Sequence, residues 1–123
     1  NSLFVASFVG AANTLNIAEL DVEHGEASLV GGAKLRFAAT GEAATCRTLV
    51  VRPHVVRFVS EQGGENVVSG NVSSLIYLGD RVRYTVTLAG GEEIALEQSS
   101  ESARHKKRDT VHLHLPKESC IVV

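Results

Sequence analysis

The sequence contains no methionine and no tryptophan, and its aromatic residues are only four Phe and two Tyr. Proteins that bind single-stranded nucleic acid stack bases on exposed aromatic side chains, so this scarcity weighs against that function. An excess of one charge is missing too, because 12 Lys and Arg face 14 Asp and Glu, for a net charge of -2. This balance argues against a whole domain that binds nucleic acid or an anionic membrane.

The sequence also lacks a long hydrophobic run and an initiator methionine. No stretch approaches the ~20 apolar residues that span a bilayer, and the first apolar segment has no basic leader, so we expect neither a transmembrane helix nor a signal peptide. A chain that begins with Asn1 and contains no methionine is expected to be a fragment of a longer protein. The hydrophobic content of 44% is nevertheless enough to bury a core.

Motifs for catalysis are missing as well. None of the three Gly-Gly pairs lies in a glycine-rich run that ends in Gly-Lys-Ser/Thr, the pattern of a phosphate-binding loop. No Gly-x-Ser-x-Gly nucleophile motif is present, and no acidic pair has a context that demands acid–base chemistry. We therefore predict that these residues perform no catalysis and bind neither ATP nor another cofactor.

Patterns of metal ligands are equally scarce. Cys46 and Cys120 belong to no Cys-x-x-Cys motif, and we expect two apolar core residues in a reducing compartment rather than a disulfide. His112 and His114 share one face of a strand, where they could bind a divalent metal with His54 as a third ligand. The alternative is the solvated face of an edge strand, and we predict no metal site.

What the sequence does contain is a succession of short, alternating segments. The spacing of Phe4 and Phe8 predicts one helix, from Ser2 to Gly10. The strongest alternation of apolar and polar residues runs from Arg81 to Leu88, and similar short runs recur along the chain. We predict an all-β fold of eight to ten short strands that form one or two small barrels, with a bulge near Ala18–Glu19.

Polar loops separate these segments. The loop from Ser60 to Asn66 is the best candidate for a boundary, with halves of roughly 13–60 and 67–123. A second loop contains the only basic cluster, Arg104 to Arg108, which could bind phosphate groups in the manner of OB barrels. The acidic Glu97 and Glu101 lie close by in sequence and favour a solvated loop instead. Gly79–Asp80 is predicted to be a two-residue hairpin turn.

Several short motifs occur in an order that is similar to that of a known family. The segment Phe4–Gly10, followed by Asn13, resembles the linker between the nucleotide-binding and C-terminal domains of ABC importer ATPases. Val51-Arg52-Pro53-His54 is similar to the Val-Arg-Pro-Glu signature of that region, with His54 in place of the acid. Further matches are Gly70-x-Val72, Tyr77-Leu78-Gly79, Tyr84-x-Val86, Leu113-x-Leu115-Pro116 and Cys120–Val123, with Leu115 where Trp is common. The chain thus resembles the transport-associated OB domain, TOBE, of importers for spermidine/putrescine, iron(III), phosphonate or maltose.

The resemblance implies two interleaved OB-type barrels in residues 13–123, after a linker helix in residues 1–12. It implies a regulatory and dimerisation domain that does not hydrolyse ATP, and a parent chain that binds ATP and Mg²⁺ in a nucleotide-binding domain outside this fragment. The implied partners are a second ATP-binding subunit and the membrane permease subunits, with no nucleic acid. The implied location is cytoplasmic, peripheral on the inner face of the bacterial cell membrane.

Arg52, His54, Tyr77 and Gly79 lie in the matching motifs and are the candidate interface or regulatory residues. For Arg52 the alternatives are hydrogen bonds that orient a strand end and a contact across an interface. Two other functions remain open: a free-standing OB module that binds nucleic acid through Arg104 to Arg108, and a small-anion sensor like the molybdate-binding relatives of this fold. Solute choice is expected to lie with the binding protein and permease.

Overall fold

The structure, a computed structural model, describes residues 12–40, 47–60, 63–103 and 105–122. These residues confirm the predicted all-β class, while the predicted helix of residues 2–10 lies outside them. They contain no helix long and apolar enough to cross a membrane. The strands are β1 Asn13–Asp21, β2 Glu26–Leu29, β3 Lys34–Arg36, β4 Ala39–Thr40, β5 Thr48–Val51, β6 Arg57–Val59, β7 Val67–Leu78, β8 Arg81–Leu88, β9 Glu93–Ser99, β10 Thr110–His114 and β11 Ile121–Val122. Short 3₁₀ turns lie at Pro53–Val55 and Lys117–Ser119.

The strands form two sheets. The first sheet has the order β3-β2-β1-β5-β11-β4, and the second has the order β6-β10-β7-β8-β9. Strand β8 shows why the alternation matters, because its apolar side chains all point to one face and are buried: Val82, Tyr84, Val86 and Leu88. Buried side chains of both sheets belong to one hydrophobic cluster, so the two sheets share a core.

Local features bear out two of the predictions and correct a third. The bulge predicted near Ala18–Glu19 is confirmed by a register shift between Ile17 and Glu19. The two-residue turn Gly79–Asp80 is also confirmed, and Gly79 has a φ of 76°, as a type II′ hairpin turn requires of its first central residue. The interpretation of β10 as an edge strand is wrong, because β10 pairs with β6 on one side and β7 on the other.

The two 3₁₀ turns carry the chain from one sheet to the other. Pro53–Val55 follows β5 of the first sheet and leads into β6, which pairs with β10 of the second sheet. Lys117–Ser119 follows β10 and leads into β11, which pairs with β5 of the first sheet. Proline cannot donate to a strand ladder, which is why β5 ends before Pro53. The exchange of β6 and β11 interleaves the two OB-like barrels.

The second sheet repeats the pairing of the first. Strands β1, β2, β3, β5 and β11 have the same order of neighbours as β7, β8, β9, β10 and β6. The repeat extends to the glycine turns: Gly32 donates to the Leu29 carbonyl at 2.9 Å, and Gly91 donates to the Leu88 carbonyl at 2.9 Å. Both glycines have a positive φ, 102° and 95°, which other residues rarely adopt.

Two buried asparagines join the sheets. Asn13, in β1, accepts a hydrogen bond from the Ala95 N–H at 2.7 Å and donates to the Ala95 carbonyl at 2.8 Å, on the end strand β9. Asn66, directly before β7, accepts from the Arg36 N–H at 2.6 Å and donates to the Arg36 carbonyl at 2.8 Å, on the end strand β3. Each asparagine therefore covers an edge of the sheet to which its own strand does not belong.

Candidate functional site

The first two candidate residues lie on the connection that leaves β5. Arg52 directly precedes the 3₁₀ turn, His54 is the middle residue of that turn, and both side chains are exposed. They line a surface cavity of about 250 Å³, whose other lining residues are Val50, Val55, Ser119 and Ile121. A guanidinium, an imidazole and a hydroxyl around a cavity of this size can bind a small anion or an acidic side chain.

Arg57 stabilises the backbone that presents His54. Strand β6 begins two residues after the turn, and the Arg57 Nη1 donates to the carbonyl of His54 and, at 3.2 Å, to the carbonyl of Val56. At the other end of the turn, buried Pro53 fixes the backbone φ. The turn is thus held at both ends, while the His54 side chain remains accessible.

Tyr77 and Gly79 lie at the end of the β7–β8 hairpin. Ile76, Tyr77 and Leu78 are 55%, 69% and 50% exposed, which is unusual for three consecutive large apolar side chains. A Cβ atom added at Gly79 would have no atom within 4 Å, so the turn projects into open space. The structure therefore pairs Arg52 with His54 on one connection, and Tyr77 with Gly79 at one hairpin end.

The histidines considered as metal ligands do not form a ligand group. Within residues 12–40, 47–60, 63–103 and 105–122, no three His, Cys, Asp or Glu side chains are grouped to hold a metal ion. The Nδ1 atom of His112 instead forms a hydrogen bond with the Ser69 hydroxyl at 2.6 Å. That contact fixes the orientation of the imidazole ring.

The basic loop folds back on the second sheet. Arg104 lies outside the described residues, but the His105 ring contacts Phe58, with ring centroids 4.2 Å apart and planes inclined by 40°, and its Nδ1 lies 3.8 Å from the Asp109 carboxylate. The same carboxylate accepts a hydrogen bond from the Lys106 N–H at 2.8 Å. Phe58 is engaged by this loop, which reduces its value as a base-stacking surface.

Cys120 is completely buried and chemically inert. Burial raises the pKa of its thiol to about 11, the Glu118 carboxylate adds to the increase, and the hydrogen bond from Asn66 opposes it. A thiol that is protonated at neutral pH and shielded from solvent is a poor nucleophile. The expectation of a buried core residue is confirmed here, while Cys46 lies outside the described residues.

Sequence reasoning missed the polar residues at the contact between the sheets. The loop predicted to end at Asn66 contains a buried amide, whose donor also reaches the Leu115 carbonyl at 2.9 Å. The Glu92 carboxylate accepts a hydrogen bond from the Gly31 N–H at 2.7 Å and links the two glycine turns. The signal for the asparagines is the internal repeat, because each stands at the start of the longest strand of its sheet.

Comparison with known proteins supports the resemblance in sequence. The model of the TOBE domain family matches residues 49–123. The chain is 30% identical over 103 residues to the Fe(3+) ions import ATP-binding protein FbpC of Brucella suis biovar 1 (strain 1330), and 31% identical over 103 residues to FbpC 1 of Rhizobium meliloti (strain 1021). These alignments cover 83% of this chain but 29% of each relative, so the chain spans less than a third of their length.

A solved structure shows the same fold. The cytoplasmic molybdate-binding protein ModG, in a crystal form with molybdate bound, superposes with a TM-score of 0.72 and 20% identity, over 90% of this chain and 93% of that chain. The likeness establishes an OB-like architecture for both. The family match covers more than half of this chain, including Arg52, His54, Tyr77 and Gly79. From the motif order, the interleaved sheets and this match, we conclude that the chain belongs to the TOBE domain family.

Proposed function

We propose that this chain is the regulatory and dimerisation domain of the ATP-binding subunit of an ABC-type solute importer, and that it is not itself catalytic. The observation that carries the proposal is the 103-residue alignment with iron importer ATP-binding proteins, combined with the TOBE family match. ATP and Mg²⁺ would bind in another domain of the parent chain. The relatives import Fe(3+), so iron(III) is the first solute to test.

The proposed partners are a second copy of the ATP-binding subunit and the permease subunits, at the inner face of the bacterial cell membrane. Two surfaces are available for such contacts. The Arg52–His54 cavity presents a guanidinium and an imidazole, and the exposed hairpin end at Tyr77 offers apolar area. Closed dimers use the same patch on both copies, and either surface can be used in that way.

The experiment compares the full-length ATP-binding subunit with a version truncated before Asn13. We expect the truncated subunit to retain ATP hydrolysis, because the phosphate-binding machinery lies elsewhere, and to lose subunit association or the response of transport to solute. Sedimentation measures association, and uptake of iron(III) in cells measures transport. If association, transport rate and solute response are all unchanged, the proposed role is wrong.

ATP binding by this chain alone provides a second test. The sequence has no glycine-rich phosphate loop, so calorimetry with the 123-residue chain is expected to show no tight ATP binding. A micromolar affinity for ATP would contradict the assignment of a non-catalytic domain.

The alternative is a module that binds a small anion, and the Arg52–His54 cavity is the observation that favours it. Calorimetry with molybdate, sulfate and phosphate, on the wild-type chain and on Arg52→Gln, tests this function. Anion binding that disappears in Arg52→Gln would support it. The other alternative, binding of nucleic acid by the basic loop, predicts retardation of single-stranded DNA that weakens in Lys106→Gln.

A further inference from the structure

The β7–β8 hairpin is longer than the equivalent hairpin of the first sheet. Leu29 and Leu88 occupy equivalent positions before the two glycine turns. Counted back along the chain from these leucines, strand pairing ends at Glu26 in β2 and at Arg81 in β8. The paired part of β8 is therefore four residues longer than that of β2. At about 3.3 Å per residue, the second hairpin extends roughly 13 Å beyond its counterpart.

The additional part of β7 has a strand partner on only one side. On the inner side Ser74 to Leu78 pair with β8. On the outer side the pairing with β10 ends at Asn71, and the chain at Asp109 reaches only as far as Val72. Among the residues that the structure describes, no strand pairs with the outer side of Ser74–Leu78, which we call the free edge. An unpaired edge presents N–H and C=O groups that can bind another strand.

The free edge carries no charged residue and no proline against such pairing, and a bulge between Val72 and Ser74 lies at its start. Proteins generally place charged residues or proline on exposed edges. The end of the β1–β2 hairpin follows that rule, with the Asp21 carboxylate hydrogen-bonded to His24 at 2.8 Å and with Glu23 and Glu26 beside it. The free edge contains only Ser, Leu, Ile, Tyr and Leu. Charged side chains therefore protect the end of the β1–β2 hairpin but not the free edge.

We propose that the free edge pairs with the free edge of a second copy of this chain, antiparallel and about a two-fold axis at Ile76. The proposal rests on the proposed dimerisation role and names its surface. Antiparallel pairing about Ile76 places Ile76 opposite its own copy and Leu75 opposite Tyr77. These contacts are apolar on both sides, and Ser74 lies opposite Leu78, so the centre of the edge is complementary to itself.

The charges next to the free edge permit two copies to approach. Arg81 and Arg83 lie on the neighbouring strand, at 3.1 Å and 3.4 Å from the Glu97 carboxylate. This shared ion pairing lowers the like-charge repulsion that two arginine-bearing hairpins would otherwise experience. Binding to a permease subunit would not require the free edge to be complementary to itself. Because the free edge has this property, we assign a second copy of this chain as its partner.

The free edge is small, and this predicts a weak dimer. Ile76, Tyr77 and Leu78 offer roughly 300 Å² of apolar area per copy, below the ~800 Å² per partner of a stable interface. Two copies held close together by other domains of a parent chain would gain from a high effective concentration. The isolated 123-residue chain is therefore expected to dimerise only at high concentration.

Sedimentation equilibrium of the 123-residue chain tests the surface. Ile76→Lys introduces a charge that would face its own copy across the two-fold axis, and we expect it to raise the dimer dissociation constant at least about tenfold. Val22→Lys is the matched control, because Val22 is 46% exposed at the end of the other hairpin. It is expected to leave the dissociation constant unchanged.

Disulfide formation tests the register. In a Cys46→Ser background, Ile76→Cys places two thiols on directly opposed residues, whose Cα separation of about 4.5–5.5 Å suits a disulfide. Oxygen with copper phenanthroline is expected to cross-link this variant into a covalent dimer. Leu78→Cys is the control, because its copy would lie about 13 Å away along the strand. It is expected to remain uncross-linked.

The outcomes separate this inference from the proposed function. A dimer that resists Ile76→Lys shows that another surface mediates association, which overturns the free-edge pairing and leaves the dimerisation role intact. A chain that remains monomeric at about 1 mM and does not cross-link through Ile76→Cys overturns the pairing as well. The comparison of the full-length ATP-binding subunit with the version truncated before Asn13 tests the dimerisation role independently.

Discussion

In the first sheet, the asparagine at the start of the long strand makes two hydrogen bonds, both to Ala95 of the neighbouring sheet. In the second sheet, the equivalent Asn66 bonds to Arg36 in the same way and also to the carbonyl of Leu115. The two asparagines thus hold the edge strand of the neighbouring sheet in the same way, but Asn66 makes one hydrogen bond more than Asn13. The first sheet also ends in a charged hairpin, while the second extends an apolar one. Equivalent positions can therefore be compared directly by substitution.

The asparagines give the largest expected difference. Asn66→Ala would leave three backbone groups without their partner, each costing about 1–3 kcal/mol, so we expect the free energy of unfolding to fall by about 3–5 kcal/mol. Asn13→Ala leaves two such groups, and the expected loss is about 2–3 kcal/mol. Urea denaturation of the 123-residue chain measures both. Asn66 also has a φ of 56°, which alanine adopts less readily than asparagine, so equal losses would show that neither the bond to Leu115 nor this backbone conformation contributes.

The glycine turns give the next difference. A Cβ atom at Gly90 would lie 2.3 Å from the Cα of Gly31 and 2.6 Å from its carbonyl oxygen, so backbone would have to move. We expect Gly90→Ala to cost about 2–4 kcal/mol. The three atoms nearest to a Cβ atom at Gly31 all belong to the end of the Glu92 side chain, which can rotate away at the cost of one hydrogen bond. Gly31→Ala is expected to cost about 1 kcal/mol, and thermal unfolding that ranks the two variants the other way would refute this account.

The hairpin turn at Gly79 gives a smaller effect. Because Gly79 has a φ of 76°, Gly79→Val is expected to destabilise the chain by about 1–3 kcal/mol through backbone strain. There is open space around this residue, so steric overlap does not contribute. Gly79→Asn is the control, because asparagine adopts a positive φ more readily than valine. An unchanged melting temperature for Gly79→Val would mean that the turn accommodates any residue.

The Asp21–His24 contact at the end of the β1–β2 hairpin gives the smallest effect, and it depends on pH. The hydrogen bonds from His24 lower the pKa of Asp21 below its ordinary value of 3.8. Since the folded-state pKa lies below that of the unfolded chain, the stabilisation is present above the unfolded pKa and is lost as the pH falls through the folded one. Asp21→Asn is expected to remove this part of the acid dependence. Identical acid unfolding curves for both chains would show that the contact contributes no stability.

The sequence patterns predicted the features that depend on residues close together in the chain. The alternation from Arg81 to Leu88, the bulge after Ile17 and the turn at Gly79 each arise from local backbone preferences, and the structure confirms them. Strand β6 was not predicted, because three residues between a 3₁₀ turn and a polar loop carry too little pattern. The burial of Asn66 was not predicted either, since its partners lie 30 and 49 residues away in the sequence.

The candidate site also has a part that the sequence predicted and a part that depends on long-range strand pairing. The motifs predicted that Arg52 and His54 belong together, because they are near neighbours on one turn. The contribution of Ser119 to their cavity depends on the pairing of β11 with β5, which no local pattern predicts. The free edge likewise becomes visible only when the two hairpins are compared in the folded chain.

The exchange of β6 and β11 has a consequence for how this domain can be divided. A nick in the polar loop after Ser60 would leave each piece holding a strand that completes the other piece's sheet. Neither piece expressed alone would possess a complete hydrophobic core, so both should be unfolded, while co-expression should restore a native complex. The intact chain should accordingly unfold as one cooperative unit, with a single transition that is reported equally by probes placed in either sheet.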